Sequence, residues 1–180
     1  MSALTRVYDE GDVLFDDMLR DIECAKRSIR LESYIFASDT VGRQFVDALV
    51  RCVARGISVH LRADHAGSWS VLSRADIDRM RTAGVRFEWS RPWSPRRPLK
   101  INRRNHRKLL VVDGSVAYVG GFNVHAAGSL RAMGPARWRD THVRFVGDSA
   151  AAAATVFDCY LDAPPDWLPP VTGSPWLLPN

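Results

Sequence analysis

The eighteen residues from His106 to Asn123 read HRKLLVVDGSVAYVGGFN and gather the ingredients of group-transfer chemistry at fixed spacing. His106 offers an imidazole that is neutral near pH 7 and can act as nucleophile or general acid. Lys108 supplies a cation two residues on. Residues i and i+2 of an extended segment point to one side, so this spacing predicts that the imidazole and the ammonium share a face. Gly120 and Gly121 let the backbone approach a bound group without a Cβ in the way, and Asn123 adds a carboxamide. Asp113 stands before Gly114 between two apolar runs, where an Asp-Gly pair reads as a hairpin turn and gives the aspartate a sufficient local task. A histidine that moves protons also needs an orienting group on its second nitrogen, and Asp140, in the segment Trp138 to His142, is the best candidate. His60, His65, His125 and His142 have no comparable setting and read as structural or surface residues.

Written as HxKxxxxDxxxxxxGGxN, the segment resembles the HKD signature of the phospholipase D superfamily. That resemblance implies exchange of phosphodiesters through a phosphohistidine, with neither metal nor other cofactor. The residue types suit the task. The anionic oxygens of a phosphodiester repel a charged nucleophile and the departing alkoxide leaves poorly, so the chemistry asks for a neutral nucleophile, donors around phosphorus and an acid for the leaving oxygen. The resemblance thus implies that His106 is the covalent nucleophile or its acid partner. Lys108 and Asn123 would bind phosphoryl oxygens, and Gly120, Gly121, Arg104 and Arg107 would face the substrate. Asp113 would support the site, and Asp140 would orient the histidine, as in the WRD segment of bacterial cardiolipin synthases.

Further segments look like the first half of a cardiolipin synthase: LESYIF at Leu31 to Phe36, VGRQFVDALVRCVARGISVHLRAD at Val41 to Asp64, AGS at Ala66 to Ser68, RNHRKLLVVDG and WRDTHVR. The resemblance covers roughly residues 9 to 163 in order, and departs at His65, where a small residue usually stands. The family's mechanism uses two histidines, whereas this chain holds one HKD motif and its lysines are only Lys26, Lys100 and Lys108. A homodimer or a second HKD half is the expected partner. The expected substrate is an anionic phospholipid such as phosphatidylglycerol, with an alcohol as acceptor. A single-motif dimeric phosphodiesterase acting on nucleic acid, or an inactive half-domain that only binds phosphate or lipid, remain as alternatives.

Composition narrows the setting. Hydrophobic residues make up 46% and charged residues 25% of 180, which suits a globular domain with one core. No apolar run approaches the roughly 18 residues of a transmembrane helix, and the first residues lack the apolar core of a secretory signal. Cys24, Cys52 and Cys159 lie outside any CxxC spacing, against a disulfide framework or zinc site. A cytoplasmic protein, peripheral at the inner face of the membrane, is expected. The net charge of +5 is concentrated: Trp89 to Val112 contains no acid, but holds Arg91, Arg96, Arg97, Lys100, Arg103, Arg104, Arg107 and Lys108. Such a field attracts a phosphate-bearing substrate, whether nucleic acid or anionic membrane, and Trp89 and Trp93 are candidate interfacial anchors.

The elements that must hold these residues follow from periodicity. Helical spacing predicts helices over Asp12 to Arg27 with Asp12 as N-cap, Val41 to Arg55 ending at Gly56, Val71 to Thr82 ending at Gly84, and Ser149 to Leu161. Alternation predicts strands at Ile29 to Phe36, Ile57 to Ala63, Val85 to Trp89 and Thr141 to Val146, with Asp64 to Ser70 a loop. Leu109 to Val112 and Val116 to Val119 form a hairpin. The expected fold is α/β and phospholipase D-like, a mixed central sheet flanked by helices, with one domain over residues 1 to 163. Six prolines between Ala163 and Asn180 make residues 164 to 180 a tail or linker.

Overall fold

The computed structural model describes residues 2–90 and 104–159. Among the described residues, seven strands form one sheet in the order β1-β7-β6-β5-β2-β3-β4. The strands are β1 (Ala3–Tyr8), β2 (Ser28–Ser33), β3 (Ser58–Asp64), β4 (Arg86–Ser90), β5 (Leu109–Val112), β6 (Val116–Gly120) and β7 (His142–Val146). β2, β3 and β4 run parallel, joined by helical crossovers, while β5, β6, β7 and β1 pair antiparallel. The sheet is therefore mixed, with its change of sense between β2 and β5.

Helices cover both faces. α1 (Gly11–Glu23), α2 (Thr40–Ala54) and α4 (Arg74–Ala83) lie on one face over the main core, which includes Leu14, Ile22, Leu31, Phe45, Leu49, Leu61, Met80, Leu110 and Tyr118. α6 (Asp148–Cys159) covers the other face with Ala150, Ala153 and Phe157 against Leu109, Val111, Ala117 and Phe145. Its small residues allow close approach to the sheet. Local signals set the helix ends: Asp39 caps α2 by accepting from the N–H groups of Val41 and Gly42, Ser73 caps α4, and Gly84 stops α4 at φ +101°.

Some expectations need correction. Asp12 is not the N-cap of α1. Glu10 occupies that position without a side-chain cap bond, and Asp12 is buried in the first turn, accepting from Ser129 Oγ and the Arg131 N–H. The expected loop after β3 contains a turn of helix, α3 (His65–Ser68), because Asp64 caps it through Ala66 and Gly67. α4 begins three residues later than Val71, at the Ser73 cap. β1 was not anticipated: its side chains are largely exposed, so it lacks the alternation that marks a half-buried strand. Between β6 and β7, α5 (Leu130–Met133) and two flanking 3₁₀ turns also escape periodicity, being too short to show it. The end of the closing helix at Leu161, the domain boundary at 163, and most of the basic run lie outside the described residues.

Candidate active site

The approach to β5 is extended, and its side chains alternate as the spacing predicts. Asn105 and Arg107 turn to one side, where Asn105 Nδ2 donates to Glu32 Oε1 and Arg107 Nη2 donates to Glu32 Oε2 at 2.8 Å. His106 and Lys108 turn to the other. The His106 ring is exposed at the surface and stacks on Tyr34, with ring centroids 3.9 Å apart and planes inclined by 28°. Lys108 Nζ lies 5.4 Å from the same Tyr34 ring and donates to the His106 carbonyl at 2.6 Å. Burial lowers the Lys108 pKa, only partly opposed by attraction to Asp140.

The sheet register explains how these groups converge. Leu109 pairs with Val119, and on the next strand Gly120 pairs with His142, so Lys108 begins a cross-strand row that continues through Gly120 to His142. A Cβ at Gly120 would lie 2.3 Å from the Thr141 carbonyl oxygen and 2.6 Å from His142 Cγ. One at Gly121 would lie within 2.1 Å of the Asp140 carboxylate atoms. The glycine pair thus makes room for the β7 approach that carries Asp140 and His142. Among the described residues no hydrogen bond joins Asp140 to His106; Asp140 Oδ1 accepts from the Thr141 N–H, and its charge acts on Lys108. Asn123 is fixed by its Oδ1, which accepts from the Ile35 N–H at 2.9 Å, leaving the NH₂ end as donor. Arg104 is half-buried at the start of the loop.

Asp113 sits at the far end of β5. Its φ of +56° and that of Gly114, +66°, put both central residues of the Val112 to Ser115 turn in the left-handed region, within a three-residue connection between Val112 and Val116. Its carboxylate accepts from the backbone N–H groups of Lys26, Arg27 and Ser28 at 2.8–2.9 Å. Burial alone would raise its pKa, but these three bonds outweigh it and hold the carboxyl below its usual range.

Several residues at the site were missed by sequence reasoning. Glu32 is fully buried on β2, where burial raises its pKa against the pull of Arg107 and Arg62. Asp64 on β3 accepts from the Asn105 N–H at 2.9 Å through Oδ2 while Oδ1 caps α3. Ser68 of α3 donates to the Tyr34 carbonyl and accepts from the Phe36 N–H. A glutamate in an alternating strand reads as solvent-facing, and only the cationic partners at Arg62 and Arg107 could have signalled otherwise. His142 is wholly buried and neutral, its pKa lowered to about 3 by burial and by the charge of Lys108. Trp89 is half-buried, packing edge-on against Phe87 and His65, whereas Trp69 and Trp138 are 68% and 62% exposed. Trp93 lies outside the described residues.

Comparison with known proteins bears on this arrangement. Residues 18–149 match the family model "Cardiolipin synthase, PLD-like domain". A cardiolipin synthase of Oceanobacillus iheyensis is 40% identical over 153 residues, covering 84% of this chain and 31% of that protein. Cardiolipin synthase 2 of Staphylococcus epidermidis is 38% identical over 149 residues, covering 81% and 30%. The chain therefore spans about a third of the length of these relatives. Among solved structures, the phospholipase D family member Nuc from Salmonella typhimurium superposes with a TM-score of 0.63 at 21% identity, covering 90% of this chain and 93% of Nuc. Phosphatidylserine synthase of Haemophilus influenzae gives 0.67 at 15% identity, covering 87% of this chain and 36% of that one. Both likenesses concern the fold. Together with the HKD segment along the middle strand of a mixed sheet, the family match and the relatives' identity establish that the chain belongs to the phospholipase D superfamily, in its cardiolipin synthase-like PLD domain family.

Proposed function

We propose that this chain is a half-site of a phospholipase D-type phosphatidyltransferase, acting on an anionic phospholipid such as phosphatidylglycerol with an alcohol as acceptor. The observation that carries the reading is the exposed His106 imidazole beside Lys108, both braced on Tyr34. A ring nitrogen of neutral His106 attacks phosphorus, the bond to the leaving alkoxide breaks, and that oxygen takes a proton from a second histidine. The same second histidine then deprotonates the acceptor alcohol, whose oxygen attacks phosphorus and releases His106 neutral. Lys108 and the Asn123 amide bind the phosphoryl oxygens and Arg104 adds positive field; Arg107, expected to face the substrate, is instead turned to Glu32, and Gly120 and Gly121 leave room for the β7 approach that carries Asp140. Asp140 orients, closing on the histidine when substrate draws the groups together, since catalytic hydrogen bonds are often long before binding.

The second histidine comes from a second copy of the chain about a two-fold axis or from a separate HKD half. In this reading residues 1–163 are the catalytic half and the Pro-rich residues 164–180 a tail or linker. Docking is peripheral, at the inner face of the membrane; no helix among the described residues is long and apolar enough to cross it. The basic run from Arg91 to Lys108 also favours a second reading, a dimeric phosphodiesterase on nucleic acid.

The test is exchange of labelled glycerol into phosphatidylglycerol vesicles by the full chain, with light scattering to record its oligomeric state. Exchange by a dimer, lost in His106→Ala and unaffected by excess EDTA, is the expected outcome. Exchange by a strict monomer contradicts the two-histidine scheme. Cleavage of DNA or RNA without lipid exchange overturns the lipid reading in favour of the second.

A further inference from the structure

Among the described residues, the side-chain contacts on either side of His106 lead back to the end of β2 and the residues that follow it. Asn105 and Arg107, the two neighbours of His106, are both bound to the Glu32 carboxylate, while Tyr34, two residues on, lies flat against the His106 ring and beneath Lys108. The next residue, Ile35, binds Asn123 through its backbone N–H. The same stretch is locked from behind. Ser68 grips the Tyr34 carbonyl and the Phe36 N–H, and α3, which carries Ser68, is capped by Asp64, whose other oxygen takes the Asn105 N–H. A Cβ at Gly67 would lie 2.2 Å from the Tyr34 carbonyl oxygen, which shows how tightly α3 is pressed on this segment.

The arrangement is costly unless it has a use. A carboxylate with its side chain fully removed from water is an expensive way to stabilise a fold, because desolvation offsets most of the attraction to Arg107. Its geometric effect is specific, however. Two fixed flanking residues leave the intervening backbone little rotational freedom, and a stacked ring removes the remaining freedom of the imidazole itself. Nucleophilic attack on phosphorus needs that restriction, since a misplacement of about 1 Å can cost roughly 10²-fold in rate.

We propose that Glu32 and Tyr34 are positioning residues for His106: Glu32 clamps the loop through Asn105 and Arg107, and Tyr34 sets the plane of the imidazole. The functional consequence rests on His106 being the nucleophile, so the test has one arm that reads geometry and one that reads turnover. Histidine ring signals are recorded by NMR in the full chain, with His106 assigned by its loss in His106→Ala. Turnover is followed with bis(p-nitrophenyl) phosphate as the probe.

In the wild type the His106 ring signals are expected upfield, shielded by the Tyr34 ring. Tyr34→Phe keeps that displacement and keeps kcat within about threefold, whereas Tyr34→Leu abolishes the displacement and lowers kcat by about 10–100-fold with KM little changed. Glu32→Gln, close to the same shape, broadens the His106 signals and lowers kcat by a similar factor, while the backbone amide spectrum of β6 and β7 stays in place. His106 signals indifferent to both Tyr34→Leu and Glu32→Gln would overturn the proposal, as would displaced signals accompanied by unchanged kcat. If Glu32→Gln does not fold, the contrast between Tyr34→Leu and Tyr34→Phe decides. A wild type without turnover counts against the proposed function, and the ring-shift comparison still decides whether Tyr34 and Glu32 place His106.

Discussion

The two ends of β5 hold letters of the same motif and treat them oppositely. At its start His106 stands exposed, held by ring stacking and through its neighbours. At its end the Asp113 carboxylate is saturated by three backbone N–H groups of the β2 approach. Five residue-to-residue steps of extended chain lead from Lys108 to Asp113, about 17 Å at ~3.3 Å per step, so no single phosphate reaches both. The difference divides the motif: its first two letters are left available for a reaction, while the third is spent on closing a turn and binding it to the neighbouring strand.

The sharpest way to break that division is to remove each end in turn. His106→Ala should lower turnover by at least about 10⁴-fold, the scale on which loss of a covalent nucleophile acts. Its thermal midpoint should stay near that of the wild type, because an exposed ring contributes little to the core. Single-turnover kinetics beside a thermal melt provide both readouts. A His106→Ala protein that melts early but turns over would reverse the assignment of the two ends.

Lys108 tests the same end at a smaller scale, and its protonation gives a pH signature. Lys108→Ala should cost about 10²–10³-fold in turnover, as loss of one donor to a developing charge does. In the wild type, burial lowers the folded pKa of Lys108 below 10.5, so affinity for inorganic phosphate is present below that lowered value and fades as pH rises through it. Asp140 works against this lowering. Asp140→Asn should therefore move the alkaline loss of phosphate binding to still lower pH, measured by titration calorimetry across the alkaline range. A shift to higher pH would show that Asp140 does not act on Lys108.

Legibility in the sequence follows the same line. The hairpin of β5 and β6 was readable because Asp113 and Gly114 declare their turn chemically, and α2 and α4 because their apolar spacing and their terminal glycines agree. His106 and Lys108 were readable because an i, i+2 pair on an extended segment leaves no other geometry. The buried anchor was not. Glu32 and Asp64 reach Asn105 from strands 41 to 73 residues away in sequence, and no local pattern distinguishes a buried carboxylate from a solvated one. β1 stayed hidden because an edge strand with exposed side chains carries no period, and Asp12 was misplaced because its partners, Ser129 and Arg131, come from more than a hundred residues downstream.

At the aspartate end the expected effects are on stability and not on turnover. Asp113→Ala should cost about 2–3 kcal/mol, since three backbone donors lose a charged acceptor, and should leave kcat near the wild-type value at a temperature where the protein stays folded. The pH dependence has a definite sign. The folded pKa of Asp113 lies below 3.8, so its contribution is fully present above the unfolded value and is lost as pH falls through the folded one. His142 acts in a separate window. Its folded pKa near 3 against an unfolded 6.5 means that the unfolded chain gains a proton first, and stability drains by about 1.4 kcal/mol per pH unit as pH falls from about 6 toward 3. Urea midpoints against pH should thus lose the upper slope in His142→Phe and the lower one in Asp113→Asn. A single slope removed by neither substitution would contradict both assignments.

The smallest effect isolates the turn itself. A Cβ added at Gly114 would meet nothing among the described residues within 4 Å, yet the residue sits at φ +66°, a conformation that costs an L-residue about 1–2 kcal/mol. Gly114→Ala should therefore destabilise by about 1 kcal/mol through backbone strain alone, and Gly114→Asn by less, because Asn tolerates the left-handed region. Neither should change kcat, since the turn lies the length of β5 from His106. Urea denaturation of the three proteins tests the ranking. A loss of turnover in Gly114→Ala without loss of stability would mean that the two ends of the strand are coupled, and that the motif does not divide as its hydrogen bonds indicate.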